Sequence, residues 1–314
     1  NQVLMSRRFK RLTDRYDSIT VPDYLESRFR DTGHRLRIVS AAALVIFVTI
    51  YVSAQIDATG KAFESFLDWN YYVGALVGFV VVLAYITSGG FLAVAWSDIF
   101  QGALMFFGLV TLPIIAAQSA GGFSTVFAGL EKIDPSLLSL AGADGWTGIS
   151  IAGAIGLSLI GLGFLGSPQI FVRFIAMRSE AEIPKGTWVA LVWTLLADSG
   201  AVLVGMIGRF LLDPNPAMTQ LGSGGENVLP MLVEHTMPAL LVGLYIAIVL
   251  SAIMSTVDSL LVVASSAWVR DWYQKVKHPE LPDDKLVGIS RKATVALALM
   301  ALVIALGVAV TTPN

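Results

Sequence analysis

Seven stretches of mainly apolar residues, near 38–58, 71–88, 92–117, 148–176, 186–212, 239–267 and 289–311, dominate the sequence. A helix rising about 1.5 Å per residue needs roughly twenty such residues to cross a hydrocarbon core of about 30 Å. Backbone amides find no water in that core, so a spanning chain is confined to helices or closed barrels. The alternating, period-two segments of a barrel are absent from the sequence, which leaves an all-α integral membrane protein. Composition agrees: 55% of the 314 residues are hydrophobic, 14% are charged, and the mean hydropathy is +0.71. The net charge of -2 gives no basis for nucleic-acid binding, and without cysteine there is neither a disulfide framework nor a thiolate metal site. The opening NQVLMSRRFKR has no initiator methionine and no signal-peptide pattern, so the chain is expected to be a fragment.

Lysine and arginine set the orientation of a helix bundle. Place the loops 1–37, 89–91, 177–185 and 268–288 on one side, and count Arg173, Arg291 and Lys292 with the loops they adjoin. That side then holds 18 of the 21 basic residues, and only Lys61, Lys132 and Arg209 fall on the other. Residues 1–37 are therefore expected in the cytoplasm, with 38–311 forming a transmembrane core in a plasma (inner) membrane. Within the first loop, Thr20, Pro22 and Asp23 suit a helix start, and Tyr24, Leu25 and Phe29 share one apolar face. This predicts an amphipathic helix at the cytoplasmic interface with the lipid bilayer. TSGG at 87–90 reads as a tight turn, 213–227 as a longer outer loop, and LPMLVEHTMP at 229–238 as a short outer helix. The odd number of spans and the end at TTPN again point to a truncated chain.

The polar residues inside these spans carry the functional signal. In SAIMSTVDSLLVVASSAW, 251–268, Ala252, Ser255, Thr256, Ser259 and Ser266 fall within about 100° of arc on a helix, with Ser251 and Asp258 on the flank. Small residues and hydroxyls are common at membrane helix contacts because they permit close packing. Asp258 shifts the balance, since a carboxylate at membrane depth must face protein, water or a cation. Carboxylate and hydroxyl oxygens together are what a hard alkali cation needs to replace its hydration shell. Asp98 lies at roughly 9 Å and Asp258 at roughly 13 Å from the cytoplasmic end of their helices, so the two can be neighbours sharing a cation or a proton. Asp98 also suits a helix N-terminus, and Asp198 suits a hydrogen bond to another helix. Four glycines and a proline in GLSLIGLGFLGSPQIFVRF, 156–174, predict an interrupted helix, a feature of transporter binding sites and also of simple packing kinks. Arg173, at its cytoplasmic end, is accounted for as a positive-inside anchor.

Four motifs in order, VPDYLESRF (21–29), GGFLAVAWSDIFQGALM (89–105), GLGFLGSPQIFVRFIA (161–176) and SAIMSTVDSLLVVASSAWVRDWYQ (251–274), resemble the sodium:solute symporter family, and most of all its bacterial sodium/proline symporters. The resemblance covers essentially the whole chain. It implies a LeuT-type bundle of two inverted five-helix repeats, of which the chain holds the third to ninth helices and lacks the partners that complete the core. It also implies alternating access driven by sodium, with no cofactor and no enzymatic chemistry. The family's shared sodium site matches Ala252 through its backbone, Ser255 and Thr256, with the remaining ligands outside the chain. A second cation site maps to Asp98, Asp258 and Ser259, and Gln55, Gly163, Phe164 and Pro168 map to the substrate cavity. Proline symporters carry a tryptophan and a tyrosine around the GLG stretch where this chain has Ile160 and Phe164, and Pro168 follows Ser167 rather than glutamine. The small-molecule substrate is therefore proline, another amino acid or another small solute.

Two other classes compete. A symporter-like membrane domain can serve as the sensor of a signalling protein, and an intramembrane enzyme or a channel would also be polar inside. The sequence has no Walker motif and no HExxH helix, and His34, His235 and His278 lie outside the spans.

Overall fold

The computed structural model describes residues 5–143, 145–163, 166–213, 221, 225 and 227–311. Two short helices, α1 (Ser6–Arg15) and α2 (Val21–Phe29), precede the long α3 (Arg35–Leu67). The chain is then helical from Tyr71 to Ser119, but Gly90, at φ 58° and ψ -155°, breaks it into α4 (Tyr71–Thr87) and α5 (Gly89–Ser119). There follow α6 (Phe123–Ile133), α7 (Gly148–Gly163), α8 (Pro168–Ala176), α9 (Ile183–Leu212), α10 (Val228–Thr236), α11 (Ala239–Ser266) and α12 (Asp283–Thr311). No strand occurs among the described residues. Among the described residues six segments are long and apolar enough to cross a membrane, and α4, the second of the seven expected spans, is apolar but shorter.

The expected span 148–176 is realised as two helices, α7 ending at Gly163 and α8 starting at Pro168. The expected loop 268–288 is mostly not a loop: α11 continues as a π-helix, Ala267–Lys277, which leaves a short connection to α12. On α2, Tyr24 and Leu25 are half-buried. Phe29 is 64% exposed, while Pro22 and Asp23 are buried, because Asp23 is drawn toward a charged partner described below.

The chain divides into two compact units, residues 1–101 with 166–187 and 250–314, and residues 102–165 with 188–249. In the first unit each long helix contributes one stripe to a common core: Ala41, Val45, Val48, Val52 and Ile56 from α3; Ala75, Phe79, Val82 and Ile86 from α4; Val257, Leu260, Leu261 and Ala264 from α11; and Leu297, Ala298, Ala301, Leu302 and Ala305 from α12. The spacing of three and four residues keeps each stripe on one helical face. At the end where α3 begins, Arg37 is buried and ion-paired with Asp23, Glu26 and Asp271. Its Nη1 reaches Asp271 Oδ1 at 2.8 Å, and the Thr20 hydroxyl donates to the same oxygen at 2.8 Å while accepting from Asp23 N at 3.1 Å. Just outside α3, Asp31 accepts from the Leu36 amide at 2.6 Å, which holds its carboxyl below the usual range. A second contact holds α1: Phe9 meets Tyr24 and Phe171 edge-on with ring centroids 4.9 and 4.7 Å away. Buried Lys10 donates to Ile175 O at 3.0 Å and to Asp14 at 2.7 Å.

In the second unit the helices approach closely. Tyr245 donates its hydroxyl to Gly108 O at 2.9 Å, and Trp193 Nε1 donates to Gly102 O at 3.2 Å. Helices α5 and α9 touch backbone to side: a Cβ on Gly200 would stand 2.1 Å from the carbonyl oxygen of Leu109. Small residues allow this approach, and a backbone atom cannot rotate away. Gly200→Ala in the full-length protein is therefore expected to cost about 1–3 kcal/mol, the usual penalty of overpacking, seen as a lower unfolding temperature in detergent. Gly205→Ala, where an added Cβ meets nothing within 4 Å, should leave it unchanged.

Candidate functional site

The middle of α11 brings three oxygens together by local geometry alone. Ser255 Oγ donates to the Ala252 carbonyl at 2.9 Å, and Thr256 Oγ1 approaches the same carbonyl at 3.3 Å. Both hydroxyls bond back to the preceding turn, as serine and threonine do inside helices. Each hydroxyl oxygen still has lone pairs to offer another partner, and a hydroxyl hydrogen rotates to suit what arrives. All three residues are half-buried, so the group is within reach of an ion.

One turn later the chemistry becomes charged. Asp258 has no exposed surface. Its Oδ2 accepts from the Tyr85 hydroxyl at 2.9 Å and from Ser97 Oγ at 3.3 Å, and its Oδ1 accepts from the Ser259 amide at 2.5 Å. The Ser259 hydroxyl lies 3.3 Å from Asp258 Oδ1 and 3.3 Å from Asp98 Oδ2, so it links the two carboxylates. Asp98 is also ion-paired with Arg173 of α8, whose Nη2 reaches Ser259 Oγ at 2.8 Å. Asp98 Oδ1 is buried and takes no hydrogen bond among the described residues. Asp98, Arg173 and Ser259 open on a cavity of about 390 Å³ that Phe91, Gln169 and Val262 also line.

The residues named from sequence thus separate into groups. Ala252, Ser255 and Thr256 adjoin one another, and Asp98, Asp258 and Ser259 form one hydrogen-bonded cluster. Gln55 is half-buried on α3, and its carbonyl accepts from Thr59 Oγ1 at 2.9 Å. Gly163 ends α7 exposed, and Pro168 occupies the first turn of α8 half-buried. Phe164 lies outside the described residues. Asp198 is exposed, with no hydrogen bond to another helix among the described residues. Sequence reasoning missed Tyr85 and Ser97, which solvate Asp258, and it explained Arg173 without its partner. A basic residue in an apolar FVRF segment, with an acid at similar depth on another helix, was the available signal.

The profile of the sodium:solute symporter family matches residues 1–312. The chain belongs to the sodium:solute symporter family. That family is one of transporters, not enzymes. Over 97% of its length the chain is 35% identical to the high-affinity proline transporter PutP of Bacillus subtilis (strain 168), covering 63% of that protein. Over 92% of its length it is 33% identical to the sodium/proline symporter of Escherichia coli (strain K12), covering 57% of it. The chain thus spans about three-fifths of the length of the curated relatives it matches. Among solved structures it is similar to a Na+-coupled sialic acid symporter in a substrate-bound outward-open state, with a TM-score of 0.79 over 99% of this chain and 68% of that one, at 18% identity. The likeness establishes the fold, a LeuT-type helix bundle, in a multi-pass membrane protein.

Hydrogen bonds to a charged acceptor are the strong ones, but those between membrane helices average well under their expected strength. Tyr85→Phe, which removes one of the donors to Asp258, is therefore expected to cost about 1 kcal/mol. Thermal unfolding of the full-length protein in detergent should report that loss, and Tyr51→Phe, on an exposed face of α3, should report none.

Proposed function

We propose that the full-length protein is a sodium-coupled symporter that imports proline or a related small solute by alternating access, and that α11 carries its cation sites. The observation that bears most weight is the run of oxygens along α11, from the Ala252 carbonyl and the Ser255 and Thr256 hydroxyls to Asp258 and Ser259, which Asp98 of α5 joins. A sodium ion would take the first three as part of its shell, and the second group would hold or tune a second cation. The relatives that are proline transporters support proline as substrate, and Ile160 and Phe164 keep other small solutes open. Gln55, Gly163, Phe164 and Pro168 are the residues we assign to the substrate cavity. The core helices within 38–311 would do the transport, completed by helices outside this chain, with residues 1–37 on the cytoplasmic face of the plasma (inner) membrane. The crowding of basic residues on that side supports the orientation.

Coupling then follows from differential affinity: sodium that binds the outward-open form more tightly raises its population and completes the substrate site, and both leave inward down the sodium gradient. The test is uptake of labelled proline and a panel of small amino acids by the full-length protein in proteoliposomes, with and without an inward sodium gradient. We expect accumulation that requires sodium. Thr256→Ala removes one ligand of a charged group, so half-saturating sodium should rise about tenfold or more. Accumulation indifferent to sodium across the panel would refute the reading.

A further inference from the structure

We propose that Arg173 is a tethered cation that occupies the Asp98–Ser259 position and must be displaced when sodium enters there, a proposal that rests on the reading of α11 as a cation-binding helix. One guanidinium nitrogen, Nη2, contacts both Asp98 Oδ2 and Ser259 Oγ, two of the three side chains of the charged cluster. A monovalent cation seeking those oxygens finds the place taken.

Three features make the exchange feasible. The Arg173 side chain is 46% exposed, so its head group is not locked in, and the adjoining cavity of about 390 Å³ gives it somewhere to go. The carboxylate it would leave is not stripped of neighbours, because the Ser259 hydroxyl stays within 3.3 Å of Asp98 Oδ2. The formal charge at the cluster is also conserved. With both carboxylates ionised, the cluster and the guanidinium sum to one negative charge, and replacing the guanidinium by sodium gives the same sum. The swap therefore leaves the two carboxylates as well compensated as before, while the displaced guanidinium, on a side chain 46% exposed, carries its own charge away from the cluster and the protein gains one positive charge overall.

The exchange has a mechanical meaning. Arg173 is on α8, while Asp98 is on α5 and Ser259 on α11. With arginine in place, α8 is anchored to both helices through its side chain, and with sodium in place that anchor is released. Ion occupancy would thus reach α8, the short helix that begins at Pro168, without any long chain of intermediates. Competition of this kind lowers apparent affinity by the fraction of molecules in which the site is free.

The experiment is a sodium titration of the full-length protein in detergent at constant ionic strength, followed by intrinsic tryptophan fluorescence, for wild type, Arg173→Gln, Arg173→Lys and Thr256→Ala. We expect half-saturating sodium to fall roughly three- to tenfold in Arg173→Gln. Lysine keeps the charge but lacks the planar fork, so Arg173→Lys should shift the same way, by about two- to threefold, and serves if the glutamine variant does not fold. A purely structural role would lower the unfolding temperature and leave half-saturating sodium where it was. Half-saturation unchanged or raised in the folded variants overturns the proposal. If that occurs while Thr256→Ala still weakens the wild-type response, the sodium site stands without the tethered cation. If wild type itself gives no sodium response, both ideas fall together.

Discussion

A carboxylate with no exposed surface on an apolar helix has to be solvated by its own protein, and much of the first unit is arranged around doing that for Asp258. Tyr85 and Ser97 both donate to the same oxygen, Oδ2, and they lie on opposite sides of Gly90. In an unbroken helix twelve residues would separate them by about 18 Å. They can meet at one atom only if the chain turns back between them, and the positive φ at Gly90 is where it turns. Glycine adopts that backbone without a Cβ penalty. The break between α4 and α5 and the burial of Asp258 are thus one feature seen from two sides.

The same long helix carries a second polar centre farther along, and its logic is different. Asp271, in the π-helical continuation, is buried with Arg37 and Thr20 upon it, and Asp23 and Glu26 complete the arginine's partners. Here the charges are satisfied mainly by one another, so the centre fixes the positions of α2, α3 and the π segment. Removing one member of such a group leaves the rest buried without compensation, which is why breaking buried pairs is far more damaging than their net worth suggests. Both centres keep one buried carboxylate oxygen without a hydrogen bond, Oδ2 of Asp271 and Oδ1 of Asp98, but the Asp98–Ser259–Asp258 cluster also opens on a cavity, the arrangement expected where something is to be bound rather than merely held.

The spans were legible because a bilayer demands length and apolarity, and both are written directly into the residues. The facing of Asp98 and Asp258 followed from depth along each helix, since rise per residue is fixed. Other features depended on packing between segments distant in sequence. Arg37 and Asp271 are 234 residues apart, and nothing local in either names the other. Arg173 already had an adequate explanation at the cytoplasmic end of a span, so its partner went unsought. Residues 268–277 read as loop because Arg270, Asp271, Lys275 and Lys277 crowd them, yet Val269, Asp271 and Gln274 face inward and keep the segment helical. The apolar face of Tyr24, Leu25 and Phe29 is read from hydropathy, which gives no sign that the ion pair with Arg37 turns Asp23 inward while Phe29 is left outside.

Residues 5–30 touch the rest of the first unit at chemically distinct places: a lysine on the carbonyl of Ile175, an arginine on Glu180, a phenylalanine against Phe171 of α8, and a threonine with two acids around Arg37 and Asp271. Each is a specific recognition contact, and none depends on the peptide bonds that join α2 to α3. Residues 5–30 therefore behave toward the helix ends as a bound peptide ligand that happens to be covalently attached, with the thermodynamics of a docked partner at very high effective concentration.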